Sequence, residues 1–148
     1  MERQEIENLL EEALFGRLGL AKDEQPYVVP FCFYYENKCI YLHCGLKGQK
    51  LHYLENNARV CFQVDNAKSI VKTGPSPCKY NVQSHSVIAF GKAHLEDNKE
   101  KKQKYLAKLA AKYTKEESPN FTDEQLSTVN LVVIEIDTLT GKTYPSGA

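Results

Sequence analysis

Apolar and polar residues alternate in several runs along the middle of the chain, and this pattern predicts a protein built mainly of β-strands. The N-terminal segment has a helical period on an acidic background, which predicts a helix over residues 2–15 with Gly16 as its C-cap. A second helix is predicted over residues 98–113, where a lysine-rich sequence carries apolar residues on one side.

The predicted strands cover residues 17–22, 27–35, 39–44, 59–65, 84–96 and 130–137. Because the connections between most of them are short, a small antiparallel barrel, at about 17–137, is favoured over a doubly wound parallel sheet. Gly91 lies inside a predicted strand and indicates a bulge or a barrel corner. Residues 66–81 contain glycine and prolines without a clear period and predict a long loop, and residues 138–148 a C-terminal tail.

Composition narrows the class of protein. A length of 148 residues suits a single domain, 1–148, and 19 basic against 19 acidic residues give no net field to attract nucleic acid or a membrane surface. No apolar run approaches the ~20 residues of a membrane helix. Five scattered cysteines and an N-terminus without a signal-peptide pattern indicate a cytoplasmic protein with free thiols.

The chemically most informative segment is a glycine-bearing loop at residues 45–48, between the strand 39–44 and a predicted helix. Lys47 and Lys50 lie at the start of this helix, whose free N–H groups favour an anion. The arrangement predicts a phosphate site and hence a phosphorylated cofactor. The alternative interpretation, two solvated lysines at a helix end, is the more common one for an isolated motif of this kind.

Two other chemical interpretations are weaker. Cysteines and histidines occur close together over residues 39–52, but without the spacing of a zinc site, so no metal is predicted. The lysine-rich run at residues 99–104 resembles a nucleic-acid patch, yet on a helix of a neutral protein it predicts a solvated face.

Five short motifs occur in order along the chain: YVVP (27–30), IYLHCG (40–45), KGQKL (47–51), NARVCFQV (57–64) and SVIAFG (86–91). Together they resemble the FMN-binding split barrel of the pyridoxamine 5'-phosphate oxidase-like superfamily, and most closely its nitroimidazole-resistance branch. The resemblance implies a mainly β fold, a small antiparallel split β-barrel of Greek-key type with flanking α-helices. It also implies FMN as the cofactor.

The resemblance assigns flavin contacts residue by residue. The predicted cofactor-binding residues are Val29, Pro30, Phe31, His43, Cys44, Lys47, Gln49, Lys50 and Ser86. Lys50 matches a phosphate-binding lysine of the family, whereas Gln49 replaces an arginine of the oxidases, so a bidentate clamp on the phosphate is not expected. Lys47 is a candidate to compensate.

The function that this resemblance implies is a flavin-dependent oxidoreductase that takes electrons from a small donor and reduces a small acceptor such as a nitroaromatic compound. No residue is assigned as catalytic. The resemblance further implies a homodimer with flavin at the subunit interface, where residues near Lys142 and Tyr144 are candidates to reach the partner's flavin. The segment 138–148 lacks the arginine and histidine with which the oxidases hold their substrate, which argues against vitamin B6 oxidation.

The sequence is compatible with two alternatives. The same barrel is compatible with a carrier that holds FMN or haem without turnover, and with a structural dimer that binds no flavin.

Overall fold

A computed structural model describes residues 1–116 and 119–145, and within them one antiparallel sheet dominates the fold. Its strands are β1 (Gly16–Lys22), β2 (Gln25–Phe31), β3 (Tyr34–Glu36), β4 (Cys39–Cys44), β5 (Arg59–Lys72), β6 (Tyr80–Leu95) and β7 (Asn130–Tyr144). The helices are α1 (Arg3–Glu12), α2 (Gln49–Asn56), α3 (Lys99–Thr114) and α4 (Asp123–Ser127), with a 3-10 turn at Pro77–Lys79.

The strands lie in the order β2-β1-β5-β6-β7-β4-β3. Phe31 at one edge and Tyr35 at the other belong to the same buried cluster, together with side chains of the strands between them. The sheet therefore curls around a single interior and leaves a gap between its two edges. This confirms the mainly β split barrel with flanking helices.

Tight turns build the two short hairpins. Asp23 and Glu24 connect β1 to β2, Asn37 and Lys38 connect β3 to β4, and all four residues have positive φ between 48° and 63°. Two-residue turns with positive φ at both positions match the right-handed twist of the flanking strands. The predicted strands 17–22 and 39–44 are confirmed by β1 and β4.

The predicted strand 27–35 is wrong as one unit, because the chain leaves β2 after Phe31 and starts β3 at Tyr34. Between them Phe33 turns fully inward, and its N–H donates a hydrogen bond to the Tyr113 hydroxyl at 2.9 Å. The chain crosses here from one edge of the sheet to the other. The apolar residues over 27–35 are nearly continuous in the sequence, so their pattern does not show that the chain crosses here.

Residues 66–81, predicted as a loop, instead continue β5 to Lys72 and start β6 at Tyr80, so this prediction is wrong. The two strands form a ribbon beyond the barrel, paired from Ser69 opposite Gln83 to Lys72 opposite Tyr80. The predicted tail is likewise β7 as far as Tyr144, whereas residues 146–148 lie outside the described part.

The ends of the helices also differ from the predictions. Helix α1 stops at Glu12, Leu14 is exposed, and Gly16 belongs to β1, not to a C-cap. A β-carbon on Gly16 would lie 1.9 Å from the Phe62 ring, so glycine is required there by packing. Helix α3 matches its prediction, with Asn98 as N-cap, whereas the short helix α4 was not predicted.

A second hydrophobic cluster lies outside the barrel. Leu106 of α3 and Leu126 of α4 pack on outward-facing side chains of β4 and β7, among them Tyr41, Leu131 and Val133. Strand β4 and the first part of β7, Leu131 to Ile134, are therefore covered on both faces.

Candidate functional site

The N-terminus of α2 has the features of an anion site. Gly48 is the N-cap with a φ of 137°, and no side chain of the described residues caps this end. The first helical hydrogen bond runs from the His52 N–H to the Gly48 carbonyl, at 3.3 Å. The N–H groups of residues 49–51 are therefore free to donate, and together with the helix dipole they favour a phosphate.

Lys50 connects this helix end to β2. Its Nζ lies 4.8 Å from the centroid of the Phe31 ring, and Phe31 is the buried last residue of β2. Lys47 and Gln49 are exposed on the same turn. The structure thus brings the three predicted phosphate residues and Phe31 together.

The end of β4 forms the second side of this region. Cys44 is buried in the barrel, and this burial raises the pKa of its thiol, while the charge of Lys50 lowers it in part. The Cys44 thiol therefore packs in the barrel interior. It lies near enough to Lys50 to sense the charge of the amine. The Asn130 side chain donates to the Gly45 carbonyl at 3.2 Å and holds the loop that follows β4.

His43, one residue earlier, points to the opposite face of β4. It lies at the exposed margin of the face of β4 that α3 and α4 cover. Its assignment to the flavin stays a prediction.

The free edge of β2 lies next to the helix end. Within the described residues β2 pairs only with β1, so alternate backbone groups along its other edge have no partner in the sheet. Val29 faces the barrel, whereas Pro30 is exposed and lies opposite Arg17 of β1. A proline without an N–H donor suits such an edge.

Ser86 is not brought to this place within one chain. It lies on the outer face of β6, opposite Asp65 of β5 and Lys142 of β7. Because β6 is the third strand from β2, the two are roughly 14 Å apart along the sheet.

Arg17 lies close to the free edge of β2 but was not among the predicted site residues. Its guanidinium forms an ion pair with Asp65 at 2.7 Å on the outer face, beside Pro30. The alternation of polar and apolar residues along β1 predicts that Arg17 faces outward. It does not distinguish Arg17 from other surface residues.

The described residues give no support for a metal site or for a membrane-spanning helix. Within residues 1–116 and 119–145 no cluster of three or more histidine, cysteine, aspartate or glutamate side chains is arranged to hold a metal ion. No helix in this part of the chain is long and apolar enough to cross a membrane.

Known proteins resemble this chain over most of its length. A sequence model of the family described as pyridoxamine 5'-phosphate oxidase matches residues 2–143. A candidate 5-nitroimidazole antibiotic resistance protein from Bacteroides thetaiotaomicron is 31% identical, with a TM-score of 0.85 over 96% of this chain and 84% of that one.

More distant structures share the fold alone. An FAD-binding protein from Mesorhizobium loti is 24% identical, with a TM-score of 0.71 over 97% of this chain and 95% of its own. An FAD and heme binding protein from Mycobacterium smegmatis is 18% identical, with a TM-score of 0.86 over 98% and 72%. An uncharacterized protein of Rhizobium meliloti is 29% identical over 80 residues, 50% of this chain, and the match spans about half, 52%, of that protein.

Proposed function

Because this chain belongs to the pyridoxamine 5'-phosphate oxidase family, we propose that it binds FMN and acts as a flavin-dependent oxidoreductase on a small acceptor. The observation that carries the proposal is the uncapped N-terminus of α2 beside Lys50, at the free edge of β2. A phosphate suits the helix end, and the ring edge of a flavin suits the unpaired backbone of β2.

The residues present fit FMN. The phosphate would be held by the N–H groups at the start of α2 and by Lys50, with Lys47 and Gln49 on the same exposed turn. The ring would lie along Val29, Pro30 and Phe31, near the end of β4. A bound flavin would accept two electrons from a donor such as a reduced nicotinamide and pass them to the acceptor. The protein's part is to position the flavin and to exclude water.

A nitroaromatic acceptor is part of the proposal. It is supported by the 31% identity to the candidate nitroimidazole resistance protein. A cytoplasmic location is also proposed, and the five free cysteines support it.

We further propose a homodimer in which the outer face of the sheet forms the interface. Val28, Ile88 and Phe90 lie on this face and are exposed by 64%, 37% and 51% of their surface. Apolar side chains exposed together are typical of a subunit contact. Ser86 lies on the same face, so it would contribute to a flavin held mainly by the partner subunit.

Titration with FMN tests the cofactor. We expect the flavin-free protein to bind FMN stoichiometrically and the Lys50→Ala variant to bind it about 10- to 100-fold more weakly, because a hydrogen bond to a charged group is lost. Lys101→Ala, an exposed lysine of α3, is the matched control and should bind like the parent. Equal affinity of a folded Lys50→Ala variant would refute the site, and parallel titrations with FAD and haemin test the choice of cofactor.

Turnover separates an enzyme from a carrier. With NADPH or NADH in excess and a nitroaromatic acceptor, the enzyme should reduce many equivalents of acceptor for each bound flavin. A protein that loads FMN or haem but stops after one equivalent would be the carrier considered above.

A further inference from the structure

A cavity of about 490 Å³ lies on the other side of β4 from the barrel interior, beneath α3 and α4. Its inner wall is apolar and consists of Leu106, Leu109 and Ala110 of α3 with Phe121 and Val129. Leu106 and Leu109 are buried, and Leu106, Phe121 and Val129 belong to the second hydrophobic cluster, so the cavity adjoins that cluster. Its volume falls within the range of small-molecule sites.

The polar groups around the cavity are mostly engaged in the protein's own hydrogen bonds. The Tyr113 hydroxyl donates to the Leu14 carbonyl at 2.7 Å, and the Thr114 and Thr128 hydroxyls donate to carbonyls of their own segments. The side-chain oxygen Oε1 of Gln125 accepts a hydrogen bond from the Thr122 N–H. None of these groups requires a ligand.

His43 differs from them. Its ring is exposed on the wall of the cavity and makes no hydrogen bond to any other described residue. The Gln125 amide nitrogen is similarly free of partners within the described chain. A ligand in the cavity would therefore find an apolar interior and hydrogen-bond donors concentrated at the exposed side.

The cavity adjoins the proposed flavin site through the backbone. Its wall includes Cys32, which directly follows Phe31, and His43, which directly precedes Cys44. The same two strand ends thus border the flavin site and the cavity. A molecule in the cavity is next to the place proposed for the flavin ring.

Among residues 1–116 and 119–145, no lysine, arginine, aspartate or glutamate lines the cavity. An ion placed against the apolar inner wall would lose hydration without meeting an opposite charge, whereas a flat apolar ring would bury its surface there at no such cost. We propose that this cavity binds a neutral aromatic molecule of one or two rings, whose polar edge accepts a hydrogen bond from His43. The inference rests on the proposed function in naming the acceptor class, but the binding itself requires no flavin.

A matched pair of probes tests the cavity in the protein as purified, without reductant. Calorimetry should give 4-nitrobenzyl alcohol a dissociation constant on the order of 0.1–1 mM, and 4-nitrobenzoate, of similar size but negatively charged, at least tenfold weaker binding. Equal binding of the two probes, or no binding of the neutral one, would overturn the inference.

Two variants locate the probe. Ala110→Phe fills the cavity and should weaken the binding of 4-nitrobenzyl alcohol at least tenfold. Ala111→Phe, on the same helix but outside the cavity wall, should leave this binding unchanged. His43→Ala, at an exposed position that leaves the fold intact, should weaken it about 3- to 10-fold through the lost hydrogen bond. Unchanged affinity of folded Ala110→Phe and His43→Ala variants would place the probe elsewhere and refute the site.

The FMN titration distinguishes this failure from failure of the proposed function. Ala110→Phe should retain FMN affinity, because the residue lies on α3 and not at α2 or β2. Loss of the probe with intact FMN binding refutes the cavity alone. Probe binding to a protein that ignores FMN refutes the flavoenzyme alone.

Discussion

At the scale of single residues, Gly91 is a position where the fold leaves no room for a side chain. The pairing of β6 with β7 shifts register between Phe90 and Gly91, because Asp137 is an extra, unpaired residue of β7; the predicted irregularity is present at Gly91, but the bulged strand is β7. A β-carbon at Gly91 would lie 2.2 Å from the Glu135 carbonyl oxygen, which belongs to the backbone and cannot rotate away.

Gly91→Ala should therefore lower the free energy of unfolding by at least about 2 kcal/mol, because β7 would have to shift. Urea denaturation measures this change. Gly45→Ala is the control, since its β-carbon would lie 4.0 Å from the nearest atom, the Lys47 carbonyl oxygen. Similar stability of the two variants would contradict the close packing of β6 on β7.

Lys112 is a charged residue with an unusual environment. Its amine donates to the Ala13 carbonyl at 2.8 Å and lies 3.9 Å from the centroid of the Phe33 ring. Burial lowers its pKa from 10.5 to about 8, although the nearby Cys32 and Glu11 act in the opposite direction.

This pKa predicts a pH-dependent stability. Between about pH 8 and 10.5 the unfolded chain still holds the Lys112 proton that the folded protein has lost, so the contribution of Lys112 to stability rises with pH. The buried charge of Lys112 costs stability below about pH 8, and methionine removes this cost. The free energy of unfolding of the Lys112→Met variant should therefore exceed that of the parent by less and less as pH rises through this interval. Melting temperatures measure it, with the exposed Lys101→Met as control, and parallel curves for parent and Lys112→Met would contradict the lowered pKa.

At the scale of elements, α3 is held on the sheet by an aromatic stack and an ion pair. The Tyr105 ring stacks on Tyr41 of β4 with centroids 3.8 Å apart, and Lys108 bonds to the carboxylate of Glu36 at the end of β3. The hydrogen bond from Lys108 holds the pKa of Glu36 below its usual 4.5, while burial acts against it.

A lowered carboxyl pKa stabilises the folded protein above the unfolded value, and this stabilisation is lost as pH falls through the folded value. Glu36→Gln should thus be less stable than the parent at pH 7, and the difference should narrow below about pH 4.5. Chemical denaturation at several pH values measures it, with Glu100→Gln on the exposed side of α3 as control. A difference that does not change with pH would show that Lys108 contributes nothing through this charge.

The ribbon formed by the ends of β5 and β6 shows why element boundaries escaped prediction. Ile70 is exposed by 79% and lies opposite Val82, which is also exposed. The ribbon has no buried face: Ser69–Lys72 carries no apolar and polar alternation, and the alternation of Tyr80–Gln83 is too short to predict a strand. Cross-strand pairing alone sustains it, and this pairing is visible only once both strands are in place.

At the scale of the whole molecule, the outer face of the sheet determines the oligomeric state that we propose. Phe90 lies near the centre of that face, in a row with Cys61 of β5 and Gly19 of β1. Phe90→Asp should convert the dimer to monomers, because an interface cannot bury an unpaired carboxylate without a large cost.

Light scattering coupled to gel filtration measures the mass of this variant. Phe15→Asp is the matched control, since Phe15 is exposed to a similar degree, 58%, but precedes β1. A parent protein that is monomeric at micromolar concentration would refute the dimer, and a dimeric Phe90→Asp would place its interface elsewhere.

What the sequence by itself determined lies in local patterns. The cores of most strands, helix α3, the irregularity at Gly91 and the lysine-bearing start of α2 follow from periodicity, glycine and charge over a few residues. The motifs also identified the split barrel. These features depend on neighbours in the chain, and neighbours are what a sequence displays.

Only the tertiary structure decided the rest, because it depends on which distant segments meet. The crossing at Cys32 and Phe33 exists because β2 and β3 lie at opposite edges of one sheet. The same order of strands brings Lys50 to Phe31 but leaves Ser86 three strands away from β2, and it turns His43 toward a cavity closed by α3 and α4. Burial and pairing between remote positions depend on contacts among many segments of the folded chain, so they cannot be predicted from any short segment alone.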